Sequence, residues 1–168
     1  PPPPPPPLYK QTPTTDNYTS DVSSAASDVY KRQVTLEYAS ERTAFGRSIA
    51  DFQVNRFKFA DMRTEMDVCQ AFIDRCVVVH NEGKLSAEDA AKAKLFATEL
   101  EDRVTDNCVQ LHGGAGYMDE YPVSRMYTAA RVSRIYAGSS EIMREIIARS
   151  IGLDPRQRQK AARAADAA

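Results

Sequence analysis

Between Phe59 and His80, seven positions (Phe59, Met62, Met66, Cys69, Ile73, Cys76 and His80) recur at intervals of three or four residues. A stripe with that period lies along one face of an α-helix about six turns long, and no strand can bury it. A second stripe follows at Ala93, Ala97, Leu100, Val104, Cys108 and Leu111. Gly83 ends the first, and Ser86 with Asp89 makes a capping-box-like start to the second. Two long helices joined by so short a connection lie antiparallel. The chain is therefore expected to be all-α, an antiparallel helical bundle.

The remaining punctuation agrees. Val34 to Arg42 has the character of the closing part of a helix, and "TAFGRSIAD" breaks the period with Gly46 as its turn. Asp51 is placed to cap the first long helix, and Gly113, Gly114 and Gly116 stop the second. Pro122 suits the first turn of a shorter helix reaching about Ser133. A last helix starts at Ser140, carries Ile142, Met143, Ile146, Ile147 and Ile151, and stops at Gly152, with Pro155 just beyond. The domain of interest thus spans residues 34–153, followed by a polar, Ala-rich tail at 154–168. Residues 1–33, beginning "PPPPPPPLYK", have no apolar period. A native disordered arm and a segment foreign to the protein are both readings of them, and the abrupt change at Val34 favours the second.

Charge excludes some functions. Acidic and basic residues nearly balance, 23 against 22, so there is no basic surplus to attract nucleic acid. The longest apolar run is too short to span a bilayer and no leader is evident, so a soluble protein is expected. Cys69, Cys76 and Cys108 form no C-x-x-C and sit on the apolar stripes, the pattern of buried thiols in a reducing compartment. With only His80 and His112 besides, no metal site is expected.

Four segments exceed what a bundle needs: "ERTAFGRSIADFQ", "QLHGGAGY", "DEYPVSR" and "RIYAGSSEI". Three glycines in four residues let backbone approach a ligand, but no strand precedes them, so they are not a dinucleotide fingerprint. In "RIYAGSSEI" a helix front with unpartnered N–H groups follows a glycine, a place for a carbonyl or anion to dock. In order and spacing these segments together resemble the C-terminal helical domain of the acyl-CoA dehydrogenases, over about Val34 to Leu153, and within that family the long-chain and isovaleryl branch.

The resemblance implies a flavoprotein that removes two hydrogens from the α and β carbons of an acyl-CoA thioester. It implies FAD as cofactor, an electron-transfer flavoprotein as acceptor, and a homodimer or homotetramer in which this domain helps hold a neighbouring subunit's flavin. The compartment implied is the bacterial cytoplasm or, for a eukaryote, the mitochondrial matrix. Carried onto this chain, Arg42 meets the flavin diphosphate, with Phe45 and Gln53 along the cofactor. Gln110, Leu111, His112, Gly113 and Gly114 line its adenosine side. Ser139, Ser140 and Glu141 lie over the flavin, and Gly138 near the thioester.

One departure matters. Many members carry the catalytic glutamate just before that glycine, where this chain has Ala137. A methyl group cannot take a proton. In the long-chain and isovaleryl branch the glutamate comes from an earlier helix, and counting back lands before Val34. Asp16 lies near that count in surroundings unlike the family helix, while Glu37 and Glu41 suit a solvated helix face. No catalytic residue is therefore assigned, and the chain alone is expected to be inactive. Two other readings stay open: a helical oligomerisation module without flavin chemistry, and an acyl-CoA oxidase-like relative.

Overall fold

The structure, a computed structural model, describes residues 30–157 and residue 159. Asp16 and nearly all of the proline-led segment lie outside the described residues. Residues 30–33 do not: they are helical, and helix α1 covers residues 30–41. The helix therefore reaches back past Val34, because Lys31 and Thr35 continue its buried face.

Helices α2 (Gln53–Asn81), α3 (Ala87–His112), α4 (Pro122–Ser133) and α5 (Ser140–Ser150) follow α1, and residues 155–157 and 159 are helical as well. The only strands described are Thr43–Ala44 (β1) and Arg47–Ser48 (β2), an antiparallel pair in register Thr43 to Ser48 and Ala44 to Arg47. Phe45 and Gly46 form its two-residue turn at φ +53° and +78°, the left-handed pair of a tight hairpin.

The helix limits follow local chemistry. Ser86 caps α3 by accepting from the Asp89 N–H, with Glu88 and Asp89 in the first turn. Past α2, Gly83 stands at φ +71° and donates to His80 O. Pro122 is in the first turn of α4. Asp51 does not cap α2. Ser48 instead opens a short 3₁₀ turn, Ile49–Asp51, its hydroxyl accepting from the Ala50 N–H, and α2 begins at Gln53 with Phe52 as N-cap.

α3 is the central helix. Its apolar stripe packs with Met62, Met66, Cys69 and Ile73 of α2 and Val123 of α4 in one core. All three cysteines are buried thiols. Among the described residues no helix is long and apolar enough to cross a membrane. α4 descends antiparallel to α3, from Tyr121 beside His112 to Ser133 beside Lys94. α5 then continues down α3 in the same sense, with Arg144 paired to Glu99. The link between α4 and α5 is thus an elbow, not a reversal. The isoleucine stripe of α5, which packs on α3, is half covered among the described residues: Met143 is buried, but Ile142 and Ile151 are 53% and 64% exposed.

α1 is fixed to α3 by an ion pair inside the bundle. Lys31 Nζ lies 2.6 Å from Glu101 Oε1, with side chains 3% and 8% exposed. Glu101 Oε2 has no hydrogen-bond partner. Removing one member of such a pair strands a buried charge, whereas replacing both by apolar residues is often neutral or stabilising. Lys31→Met should therefore destabilise the chain by about 3–5 kcal/mol, and Lys31→Met with Glu101→Leu should recover most of it. Urea unfolding of the three proteins checks this, and equal loss in the single and double variants would contradict it.

Candidate functional site

The end of α1, the hairpin and the end of α3 meet at a groove of about 420 Å³. Arg42 enters it at the first position beyond α1. Its N–H donates to Tyr38 O at 2.9 Å and its carbonyl accepts from the Ile49 N–H at 2.8 Å. With its backbone held at both ends, its side chain is exposed and has no salt bridge among the described residues. Facing it are Gln110, Leu111, His112, Gly113 and Gly114.

His112 forms the wall of the groove. Its Nδ1 is 2.8 Å from Cys108 O, and since a carbonyl only accepts, Nδ1 carries the proton. Its ring stacks on Tyr38, centroids 4.2 Å apart and planes 17° from parallel. The Tyr38 hydroxyl donates to His112 O at 3.2 Å, and Tyr121 meets both rings edge-on. After His112 the chain turns through Gly113–Tyr117 as a 3₁₀ helix. Gly113 and Gly114 are exposed, with open space where a Cβ would stand, so their backbone is available to a ligand. Gly116 has a different reason to be glycine: a Cβ there would lie 2.5 Å from Val109 O and 3.0 Å from His112 Cβ.

Most of the expected groove residues are thus together: Arg42 with Gln110 to Gly114. Tyr38, Ile49, Ala115 and Tyr121 also line it, and sequence reasoning missed them. Tyr38 had a faint signal, being one helical turn before Arg42. Gln53 and Phe45 do not line the groove. Gln53 is the first residue of α2 and exposed. Phe45 stands at the hairpin tip, 95% exposed and left-handed, its ring edge-on to Phe52, over which Arg47 also sits. A bulky side chain in that conformation is strained, and the cost argues for a use.

Ser139, Ser140, Glu141 and Gly138 are not at this groove either. They form the elbow at the other end of α3, which rises about 27 Å from Lys94 to His112 at 1.5 Å per residue. The front of α5 is less open than its sequence suggests. Ser139 is the N-cap without a side-chain cap bond, but the Ser140 N–H donates to Arg134 O at 3.2 Å. The Glu141 carboxyl is held below its ordinary range, first by its own backbone N–H and then by the Ser139 hydroxyl. Arg134 braces the elbow from below, its guanidinium 2.7 Å from Asp102, a hydrogen bond that raises the guanidinium pKa. Ala137 and Gly138 are both left-handed, at φ +56° and +98°.

Residues 30–152 match the family model for the acyl-CoA dehydrogenase C-terminal domain. This chain belongs to the acyl-CoA dehydrogenase family. It is 40% identical over 144 residues to the mitochondrial long-chain specific acyl-CoA dehydrogenase of Sus scrofa, covering 86% of this chain and 33% of that protein. It superposes on the acyl-CoA dehydrogenase of Geobacillus kaustophilus with a TM-score of 0.80 at 37% identity, over 82% of this chain and 36% of that one. It also matches the FAD complex of PigA, with a TM-score of 0.74 at 31% identity over 79% and 35% of the two chains. The chain spans about a third of the length of these relatives. The family-model match begins at residue 30, four residues before Val34.

The strain at Phe45 is separable from the fold of the acyl-CoA dehydrogenase domain. Phe45→Asn, which tolerates the left-handed region, should stabilise the chain by about 1 kcal/mol. Thermal unfolding checks it, and a lowered melting temperature would show that the Phe45–Phe52 contact outweighs the strain.

Proposed function

We propose that this chain is the flavin- and subunit-contacting domain of an FAD-dependent acyl-CoA dehydrogenase, one that oxidises acyl-CoA thioesters between the α and β carbons. The observation that carries this is the Arg42 groove. An exposed guanidinium, without a salt bridge among the described residues, faces two exposed glycines and an aromatic wall. A guanidinium forms charge-assisted, often bidentate bonds to phosphate oxygens, and glycine backbone admits close approach. The residues present fit a flavin dinucleotide: Arg42 would hold the diphosphate, and Gln110 to Gly114 with the Tyr38–His112 stack would flank the adenosine side. When bound, the flavin accepts the hydride that leaves the β carbon. An oligomerisation module has no use for this groove, and the match to the FAD complex of PigA weighs the same way.

The elbow is assigned to the acyl thioester, with Gly138 beside it and Ser139 to Glu141 over the flavin. Groove and elbow stand farther apart along α3 than the ribityl chain of one flavin reaches. The two ends of this domain are therefore taken to serve different flavins across a dimer or tetramer. Ala137 supplies no base, and neither Glu37 nor Glu41, both exposed on α1, faces the elbow. The base comes from a part of the enzyme outside this chain, which alone has no turnover. An electron-transfer flavoprotein takes the electrons.

The groove reading is tested in the protein extended to the length of its relatives. Arg42→Ala should weaken FAD binding by about 1.5–3 kcal/mol, the scale of a hydrogen bond to a charged group. Flavin content after gel filtration, and a dissociation constant from flavin fluorescence, measure it. Unchanged retention would remove Arg42 from the diphosphate site.

A further inference from the structure

Lys94 is only 4% exposed and lies on the buried side of α3, between Ala93 and Ala97. An ammonium in that position must find acceptors. Lys94 Nζ donates to Gly138 O at 2.7 Å and to Ser133 O at 3.3 Å. These two carbonyls bracket the elbow: Ser133 is the last residue of α4, and Gly138 immediately precedes the N-cap of α5. The carbonyl end of α4 also favours a cation through its dipole.

The residues between need such a hold. Ile135 and Tyr136 both donate back to Val132 O, which closes α4. Ala137 and Gly138 then run left-handed in succession, an unfavourable region for a residue with a Cβ. Gly138 is pressed from beneath by Met143, whose Cε would lie 2.6 Å from any Cβ placed there. The Arg134–Asp102 pair fixes the near end of the elbow to α3. Lys94 fixes the far end, where the backbone is least supported by its own hydrogen bonds.

We propose that Lys94 is a positioning residue: by gripping the Ser133 and Gly138 carbonyls together it sets the backbone of residues 137–139, the edge presented to the acyl thioester. The inference rests on the assignment of the thioester to the elbow. Lys94 touches neither substrate nor cofactor and acts through Gly138.

Two measurements separate the clamp from the functional reading. In the present chain, Lys94→Met keeps the volume and removes the charge. Amide hydrogen exchange over residues 135–142 should quicken by about tenfold or more, the scale of losing a hydrogen bond from a charged donor, while amides in the α2–α3 core keep their protection. Unchanged exchange at 135–142 overturns the clamp. If Lys94→Met loses protection throughout the bundle, Lys94→Gln, a shorter neutral donor, is judged by the same criterion. In the full-length protein, kcat per bound flavin should fall about tenfold or more in the same variant at unchanged flavin content. A lysine with a merely structural role would lower flavin content and rate in proportion, and that result overturns the positioning role. Absence of acyl-CoA-dependent dye reduction by the unsubstituted full-length protein counts against the functional reading, and the exchange result still decides the clamp.

Discussion

α3 is covered on two faces, and only one of them is apolar. Along the other run Lys94, Thr98, Glu101, Thr105 and His112, all buried, at helical spacing. A buried polar group without a partner is destabilising, and a buried charge far more so. This stripe therefore dictates what can pack there: whatever lies on it must bring complementary atoms at the right heights. Glu101 takes Lys31 of α1, His112 takes the ring and hydroxyl of Tyr38, and Lys94 takes the carbonyls of the elbow. Thr98 and Thr105 satisfy themselves by bonding to the carbonyls of Lys94 and Glu101, one turn earlier.

The consequence is that both the groove and the elbow hang from one polar seam. At its C-terminal end the seam orients His112 and, through Tyr38, the exit of α1 where Arg42 begins. At its N-terminal end it holds the α4–α5 elbow at the height of Ser139. The apolar stripe on the adjacent face supplies most of the burial, joining α2 and α4 to α3. It would tolerate sliding by a turn, because Met, Cys and Ala contacts are forgiving. The ionic and stacked contacts are directional, and they fix α1 and the elbow in register with the helix between them.

This also explains which parts were legible in the sequence. The period of Met62 to Cys76 and of Ala93 to Leu111 declared the two long helices, and nearly all of those residues are buried. Ser86, Gly83 and Pro122 marked helix ends because each acts through local backbone chemistry. Asp51 misled, since Ser48 captures the chain into a 3₁₀ turn first. Arg42 and Gln110 to Gly114 were named from the family resemblance of their two segments, and the fold brings those segments to one groove. The polar seam was illegible: "AKAKLFATELE" reads as an ordinary amphipathic helix, and nothing local marks Lys94 and Glu101 as buried. Their partners lie 44 and 70 residues away. The only clue was a lysine three residues before Ala97, on the wrong side for solvent. Likewise periodicity does not reveal that Ile142 and Ile151 of α5 stay exposed among the described residues.

The central claim is the proposal that the two ends of this domain serve two different flavins, Arg42 and the glycines at the diphosphate of one, the elbow at the ring of the other. A crystal structure of the full-length protein with FAD tests it most directly. The account predicts the diphosphate within hydrogen-bonding distance of the Arg42 guanidinium, and the ring of a second flavin over Ser139 to Glu141 of the same copy. A diphosphate bound away from Arg42, or one flavin touching both ends of a single α3, would contradict it.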